Sequence, residues 1–370
     1  MNKNKWLGIA LSYLILNGLN SCKMENAQNT YPLFVGTYTD NGSDGIYRYT
    51  FNTQTGELTD KVLAAATKNP SFIKITPNKE YMYAVSETNT GIGGSGAVTA
   101  FKIDDAQLTA LNTVSSFGAG PCHIGISEDG AMVAVSNYSG GTVSVFKTDA
   151  DGRLITPQVI DHTLLDSTKT SHAHSALFSK GKLFVADLGL DMVSVYPFLD
   201  GGIDTAEAQV LPLPEKAGPR HFIFSANDAF LYVINELNST ISVFKSTEDG
   251  AYNLLETKST LAEDFKGDSY CADIRLSPDG KFLYGSNRGE NTVVIFGVDE
   301  ATGKLSLIGR EDVRGDWPRN FNIDPSGNFL LVANQRSNNI TVYKRDKENG
   351  TLTFVNEEEL SSPVCLEFLE

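Results

Sequence analysis

Seven times along this chain a short apolar run ends on a small or polar residue at a nearly constant interval. The runs are FVGT (34–37), AVSE (84–87), AVSN (134–137), FVAD (184–187), YVIN (232–235), YGSN (284–287) and LVAN (331–334). From Thr37 through Glu87, Asn137, Asp187, Asn235 and Asn287 to Asn334 the steps are 50, 50, 50, 48, 52 and 47 residues. A period of that size, built from short strands and tight turns, predicts a closed ring of small sheets of the β-propeller kind. Such a ring constrains function as well as fold. Positions one repeat apart in sequence converge on one central axis, so residues far apart in the chain can share a site.

One repeat can be followed strand by strand. Residues 219–224 lead through a turn at 225–228 to 230–235, then to 240–245; the turn Glu248, Asp249, Gly250 precedes 252–256. β-Branched and aromatic residues alternate between Asp, Asn and Gly turns, which is the pattern of hairpin-linked antiparallel strands. No segment reads as a long amphipathic helix. The expectation is an all-β, seven-bladed propeller over residues 31–370 with four antiparallel strands per blade. The first repeat starts at its second strand, whereas residues 363–368 resemble an innermost strand with no second strand after it. The C-terminus is therefore expected to complete the N-terminal blade and remove two exposed edges.

The N-terminus reads as a targeting segment. Lys3 and Lys5 precede an apolar run over 6–16, and Leu19, Asn20, Ser21 and Cys22 end it. The run is too short and too near the start for a spanning helix. Its ending resembles a bacterial lipoprotein signal over 1–22 with Cys22 lipidated, and residues 23–30 read as a polar tether. The expected location is that of an exported lipoprotein, periplasmic or at the cell surface, held to a membrane only by its lipid. A formal charge of −15 argues against nucleic acid as a partner and against acidic membrane binding through the body. Cys122, Cys271 and Cys365 read as buried free thiols.

Counting back from the end of each second strand places Ser71, Cys122, His174, Arg220, Ala272, Arg319 and Val364 around the axis. Each first strand starts at the mouth where the second strand ends. Glu87, Asn137, Asp187, Asn235, Glu236, Asn287, Arg288, Asn334 and Gln335 are therefore expected at the same mouth. Arginines, a histidine and carboxylates gathered in a funnel suit an anionic or carbonyl-bearing small molecule. Polar residues that merely close strand ends are the plainer reading of the Asn and Asp positions. His172 and His174 on one strand have a spacing that zinc can use. No third ligand accompanies them, and no metal is expected. The glycine-rich stretch 91–96 precedes no helix and reads as a hairpin insertion.

Four stretches resemble a known family: Gly218, Pro219, Arg220, His221; 233–237 (VINEL); 186–189 (ADLG); and Ser286, Asn287, Arg288, Gly289. They look like the bacterial lactonase family of seven-bladed propellers, which includes the cyclo-isomerase-type 6-phosphogluconolactonases and the fungal carboxymuconate lactonizing enzymes. The resemblance covers nearly all of the chain after the tether. It implies hydrolysis or formation of a sugar or carboxylic-acid lactone at one mouth of the channel, without an obligatory cofactor. By motif, it implies active-site roles for His174 or nearby His172, for Arg220, for Glu236 and for Arg288. From the chemistry of lactone opening, His174 is expected to act as general base and Arg220 and Arg288 to stabilise an oxyanion. Glu236 is expected to orient a partner or deliver the proton. His172, His221, Asp187, Asn287, Arg319 and Trp317 are the expected substrate contacts. The alternative function is a non-catalytic binding or scaffold propeller, because the Val-Ile-Asn-type strands also resemble exported YVTN-repeat proteins.

Overall fold

The computed structural model describes residue 1, residues 29–199 and residues 201–370. Cys22, the expected signal segment beyond residue 1, and most of the tether lie outside the described residues. Seven antiparallel sheets surround an axis. Their innermost strands are Ile73–Ile75, Pro121–Ile126, Ala173–Ser179, Pro219–Phe224, Tyr270–Leu276, Pro318–Ile323 and, closing the ring, Pro363–Phe368. The second strands are Tyr81–Ser86, Met132–Asn137, Lys182–Asp187, Phe230–Asn235, Phe282–Arg288, Phe329–Asn334 and Thr30–Thr37. Six blades have four strands; the fourth adds a short Gly202–Ile203 pairing beside Gln209–Pro212. The expected ring closure is present. Leu33 pairs with Phe368, Val35 with Leu366 and Gly36 with Cys365 across antiparallel strands.

The second strands carry near-continuous apolar runs because both of their faces meet neighbouring blades. Phe230, Tyr232 and Ile234 of the fifth blade pack with Ile274, Leu283, Val294 and Phe296 of the sixth. The same contact recurs around the ring with a glycine as its partner. A Cβ on Gly303 would lie 2.2 Å from the Phe230 ring, and one on Gly350 would lie 2.4 Å from Phe282. Both glycines have positive φ, so the turn and the close approach each demand them. Just above, the hydroxyls of Tyr232 and Tyr284 donate to the carbonyls of those same glycines. The three described cysteines are buried and free, as expected.

The feature that creates the mouth is an irregularity repeated at the top of the inner strands. Pro219 pairs with Asn235, but His221 pairs with Ile234, so Arg220 is left without a partner. The same slip leaves out Cys122, His174, Arg319 and Val364, and in the sixth blade Ala272 together with Asp273. A bulge of this kind re-aims one side chain that strict alternation would place elsewhere. Six of the seven residues expected around the axis are these bulge residues. Ser71 occupies the corresponding place just before Ile73–Ile75.

Candidate active site

Three repeat positions build the mouth. The bulge residues are the first. The second is the residue that follows each second strand or ends it: Tyr38, Glu87, Tyr138, Leu188, Glu236, Arg288 and Gln335. The third lies two residues before each bulge and includes His172, Gly218, Tyr270 and Trp317. Backbone hydrogen bonds tie the last two positions together. The amide of Glu87 donates to Asn69, that of Tyr138 to Gly120, that of Glu236 to Gly218 and that of Gln335 to Trp317. This register corrects the sequence alignment by one residue in the second blade. Glu87 is the counterpart of Glu236 and Tyr138, and Ser86 is the counterpart of Asn137.

On one side of the mouth Glu236 joins two arginines. Its Oε2 lies 2.7 Å from a terminal nitrogen of Arg288 and 3.1 Å from Nε of Arg220. The second contact is off the N–H axis, so among the described residues Arg220 Nε has no hydrogen bond of its own. Both guanidiniums are held from behind by the chain. Arg220 donates to the carbonyl of Ala272, and Arg288 donates to those of Tyr270 and Cys271. Burial, reinforced by Arg220, lowers the Arg288 pKa to about 10 despite Glu236, and the group remains cationic at neutral pH. Trp317 lies with its ring centroid 5.2 Å from the Arg288 guanidinium and 3.3 Å from that of Arg336.

The opposite side carries Arg319, Glu87 and Tyr38, from the seventh, second and first blades. The Tyr38 hydroxyl donates to Glu87 Oε2 at 2.7 Å, and the Arg319 guanidinium lies over the Tyr38 ring. Arg319 comes no nearer to Glu87 than 3.9 Å. Burial raises the Tyr38 pKa, with the Glu87 charge adding to it and Arg319 opposing, so the phenol stays protonated.

Between these groups sits His174, which is buried and whose Nδ1 has no hydrogen-bond partner among the described residues. Burial first, and then Arg220, hold its pKa well below the ordinary histidine range. The expected general base is therefore an imidazole that stays neutral across physiological pH. His172 is half-buried, stacks on Tyr138 at 4.4 Å and bonds through Nδ1 to the Tyr138 carbonyl. His174 makes a T-shaped contact with the same tyrosine, at 5.7 Å. Among the described residues, no group of three or more His, Cys, Asp or Glu side chains is placed to hold a metal ion.

Three expected substrate contacts are corrected. Asp187 is fully buried, and its carboxylate accepts from the amides of His172, Gly189 and Leu190, from Ser171, and bonds His162. It anchors the segment that presents His172. Asn287 is also fully buried and donates to Thr260, Glu290 and Thr292. His221 lies one layer below the mouth, with Nδ1 2.7 Å from Asp273. Asp273 also takes Asn320 and Arg275, and the His221 ring meets those of His123 and His174, each at 5.2 Å. The sequence reading missed Tyr38, Tyr138 and Asp273. Counting one residue beyond the strand ends would have found both tyrosines.

Two of these buried histidines make acid stability testable. Burial lowers the His123 pKa to about 3, and His174 moves in the same direction. The unfolded chain binds a proton at each below about pH 6.5, whereas the folded chain does not. Stability is therefore complete above that pH and falls below it, by about 1.4 kcal/mol per pH unit for each histidine. Burial and Arg220 push His221 down too, so it adds to the loss. Urea unfolding between pH 6.5 and 4.5 should show a slope of roughly 3–4 kcal/mol per pH unit, lowered by about 1.4 kcal/mol per pH unit in His123→Gln. An unchanged slope in that variant would remove His123 from this account.

Comparison with known proteins fits this geometry. A family model described as a lactonase, seven-bladed β-propeller, matches residues 32–368. A 6-phosphogluconolactonase of Formosa agariphila is 39% identical over 315 residues, covering 79% of this chain and 86% of its own. One from Bacillus subtilis is 32% identical, covering 78% and 83%. Among solved structures, the periplasmic gluconolactonase of Pseudomonas aeruginosa superposes with a TM-score of 0.87 at 33% identity, covering 92% of this chain and 99% of its own. The chain belongs to the lactonase family of seven-bladed β-propellers.

Proposed function

We propose that this mouth hydrolyses a sugar lactone, with His174, Arg220, Glu236 and Arg288 as its working residues. The observation that carries the reading is the single carboxylate oxygen of Glu236 shared by two nearly buried guanidiniums beside a neutral, unpartnered imidazole. The His174 imidazole takes a proton from water as the water oxygen adds to the lactone carbonyl carbon. Arg220 and Arg288 face the oxyanion that develops, and Glu236 keeps them in place before the reaction begins. The ring C–O bond then breaks with its electron pair on the ring oxygen, which receives the proton from His174. The product is the open hydroxy acid, which releases its carboxyl proton to solvent. A histidine of depressed pKa is a weak base, but its imidazolium is a strong acid and returns the proton readily.

Three guanidiniums against two carboxylates leave the mouth positive within a chain of charge −15. That excess suits the oxyanion, the carboxylate product and a substrate bearing an anionic group. The named relatives act on gluconolactone and 6-phosphogluconolactone, which supports a six-carbon aldonolactone. Export as a lipoprotein through Cys22 is part of the same proposal, supported by the N-terminal sequence and by the periplasmic relative.

The test is proton release by the purified protein on glucono-δ-lactone, 6-phosphogluconolactone and a muconolactone, with spontaneous hydrolysis subtracted. His174→Asn should lose most of the enzymatic rate, and wild-type kcat should stay flat from pH 6 to 7.5, without the inflection of an ordinary histidine. Background rates on all three substrates would move the protein to the binding class.

A further inference from the structure

The two sides of the mouth use the same residue types in opposite ways. On the Glu236 side the charges are closed on one another, and backbone carbonyls take further donors of Arg220 and Arg288. On the other side Arg319 is left open. Its side chain is only 18% exposed, yet among the described residues it donates no hydrogen bond, and its carboxylate neighbour is 3.9 Å away. A guanidinium has five N–H donors, and leaving them without acceptors in a nearly enclosed place is costly. Glu87 is similarly underused. Among the described residues, the Tyr38 hydroxyl and the distant Arg319 are the polar side chains that meet its carboxylate, and that side chain is 22% exposed.

A free donor beside a free acceptor selects for a group that can both accept and donate. A hydroxyl does both. A phosphate or carboxylate would meet Arg319 favourably but would be repelled by Glu87. We propose that Arg319 and Glu87 form a hydroxyl-recognition subsite of the lactonase mouth, gripping the polyol part of the substrate while the opposite side handles its carbonyl. Arg319 donates to a hydroxyl oxygen, and Glu87 accepts from the O–H of that hydroxyl or its neighbour. Tyr38 is the positioning residue: its phenol fixes the Glu87 carboxylate, and its ring supports the guanidinium. The subsite makes the preferred substrate a polyhydroxylated lactone rather than an unsubstituted or dicarboxylic one. The assignment rests on the lactonase reading above.

The experiment uses Glu87→Gln, Arg319→Gln and Tyr38→Phe in the full chain. Each is measured for kcat and KM on glucono-δ-lactone and for gluconate binding by calorimetry. Glucono-δ-lactone is uncharged, so a weakened KM cannot be a lost anion contact. Glu87→Gln and Arg319→Gln should raise KM and the gluconate Kd together by about 10- to 100-fold, with kcat changed less than fivefold. Tyr38→Phe should shift both constants in the same direction by a smaller factor, with its thermal midpoint retained. A fall in kcat with the Kd unchanged would place Glu87 in proton transfer and overturn the proposal. An unchanged Kd and KM, or no gluconate binding by the wild type, would overturn it as well. Should the wild type bind gluconate but hydrolyse no lactone, the catalytic reading fails, and the Kd series still decides the subsite.

Discussion

Glu236→Gln is expected to lower kcat/KM on glucono-δ-lactone by about 10²- to 10³-fold, the range found when a preorganised oxyanion donor is lost. The substitution keeps the size of the side chain and removes only its charge. Arg220 and Arg288 would then face each other with no anion between them, both nearly buried. Their repulsion would turn at least one guanidinium out of its place, so two donors are disturbed by one change. The same loss should destabilise the fold by roughly 1–3 kcal/mol, below the figure for a fully buried pair because Glu236 is partly exposed. Steady-state kinetics and thermal unfolding of the same preparation check both numbers. A folded variant with wild-type kcat/KM would take Glu236 out of the mechanism.

Deleting residues 361–370 should abolish the folded ring. The strand Pro363–Phe368 is buried at every position and pairs with Thr30–Thr37 along its length. Leu366 and Phe368 pack with Leu33, Val35, Phe329 and Leu331 of the first and seventh blades. Cys365 packs into the neighbouring core with Phe72 and Ile73. Losing the buried side chains of Val364, Cys365, Leu366 and Phe368 removes roughly 6–10 kcal/mol, comparable with the whole stability of an ordinary domain. The deletion also exposes the inner edge of Thr30–Thr37, and free edges invite aggregation. Circular dichroism and size exclusion should report an unfolded or aggregated chain. A monomeric β-rich product with a cooperative transition would show that the ring tolerates an open blade.

Much of this architecture was legible because a repeat states its rule several times. Turn glycines such as Gly303 and Gly350, the apolar second strands and the unpaired C-terminal strand each follow from local chemistry repeated at one period. Arg220, Glu236 and Arg288 were legible for the same reason. Arg220 stands where four of the equivalent positions carry the small or apolar Ser71, Cys122, Ala272 and Val364, and Glu236 and Arg288 bring charge to strand ends at the same mouth. Glu87 was misplaced by one residue because the apolar run at 84–87 ends on it, while the strand itself ends at Ser86. A one-residue slip of that kind cannot be seen in a period that already varies from 47 to 52 residues.

Side-chain direction was a different matter. Asp187 and Glu236 both stand near the ends of second strands, and both were expected at the mouth, Glu236 in the chemistry and Asp187 as a substrate contact. The fold turns Asp187 inward onto three amides, Ser171 and His162, and leaves Glu236 facing two arginines. The proton affinity of His174 was equally unreadable, because burial and Arg220 set it and neither is adjacent in the chain. The sequence by itself determined the number of blades, the strand that closes the ring and the repeat positions from which a site can be built, since these depend on period and local pattern. Only the tertiary structure decided which of those side chains meet, which are spent on backbone amides and which remain open to a ligand. Those outcomes rest on bulges that re-aim single residues and on distances between blades some fifty residues apart.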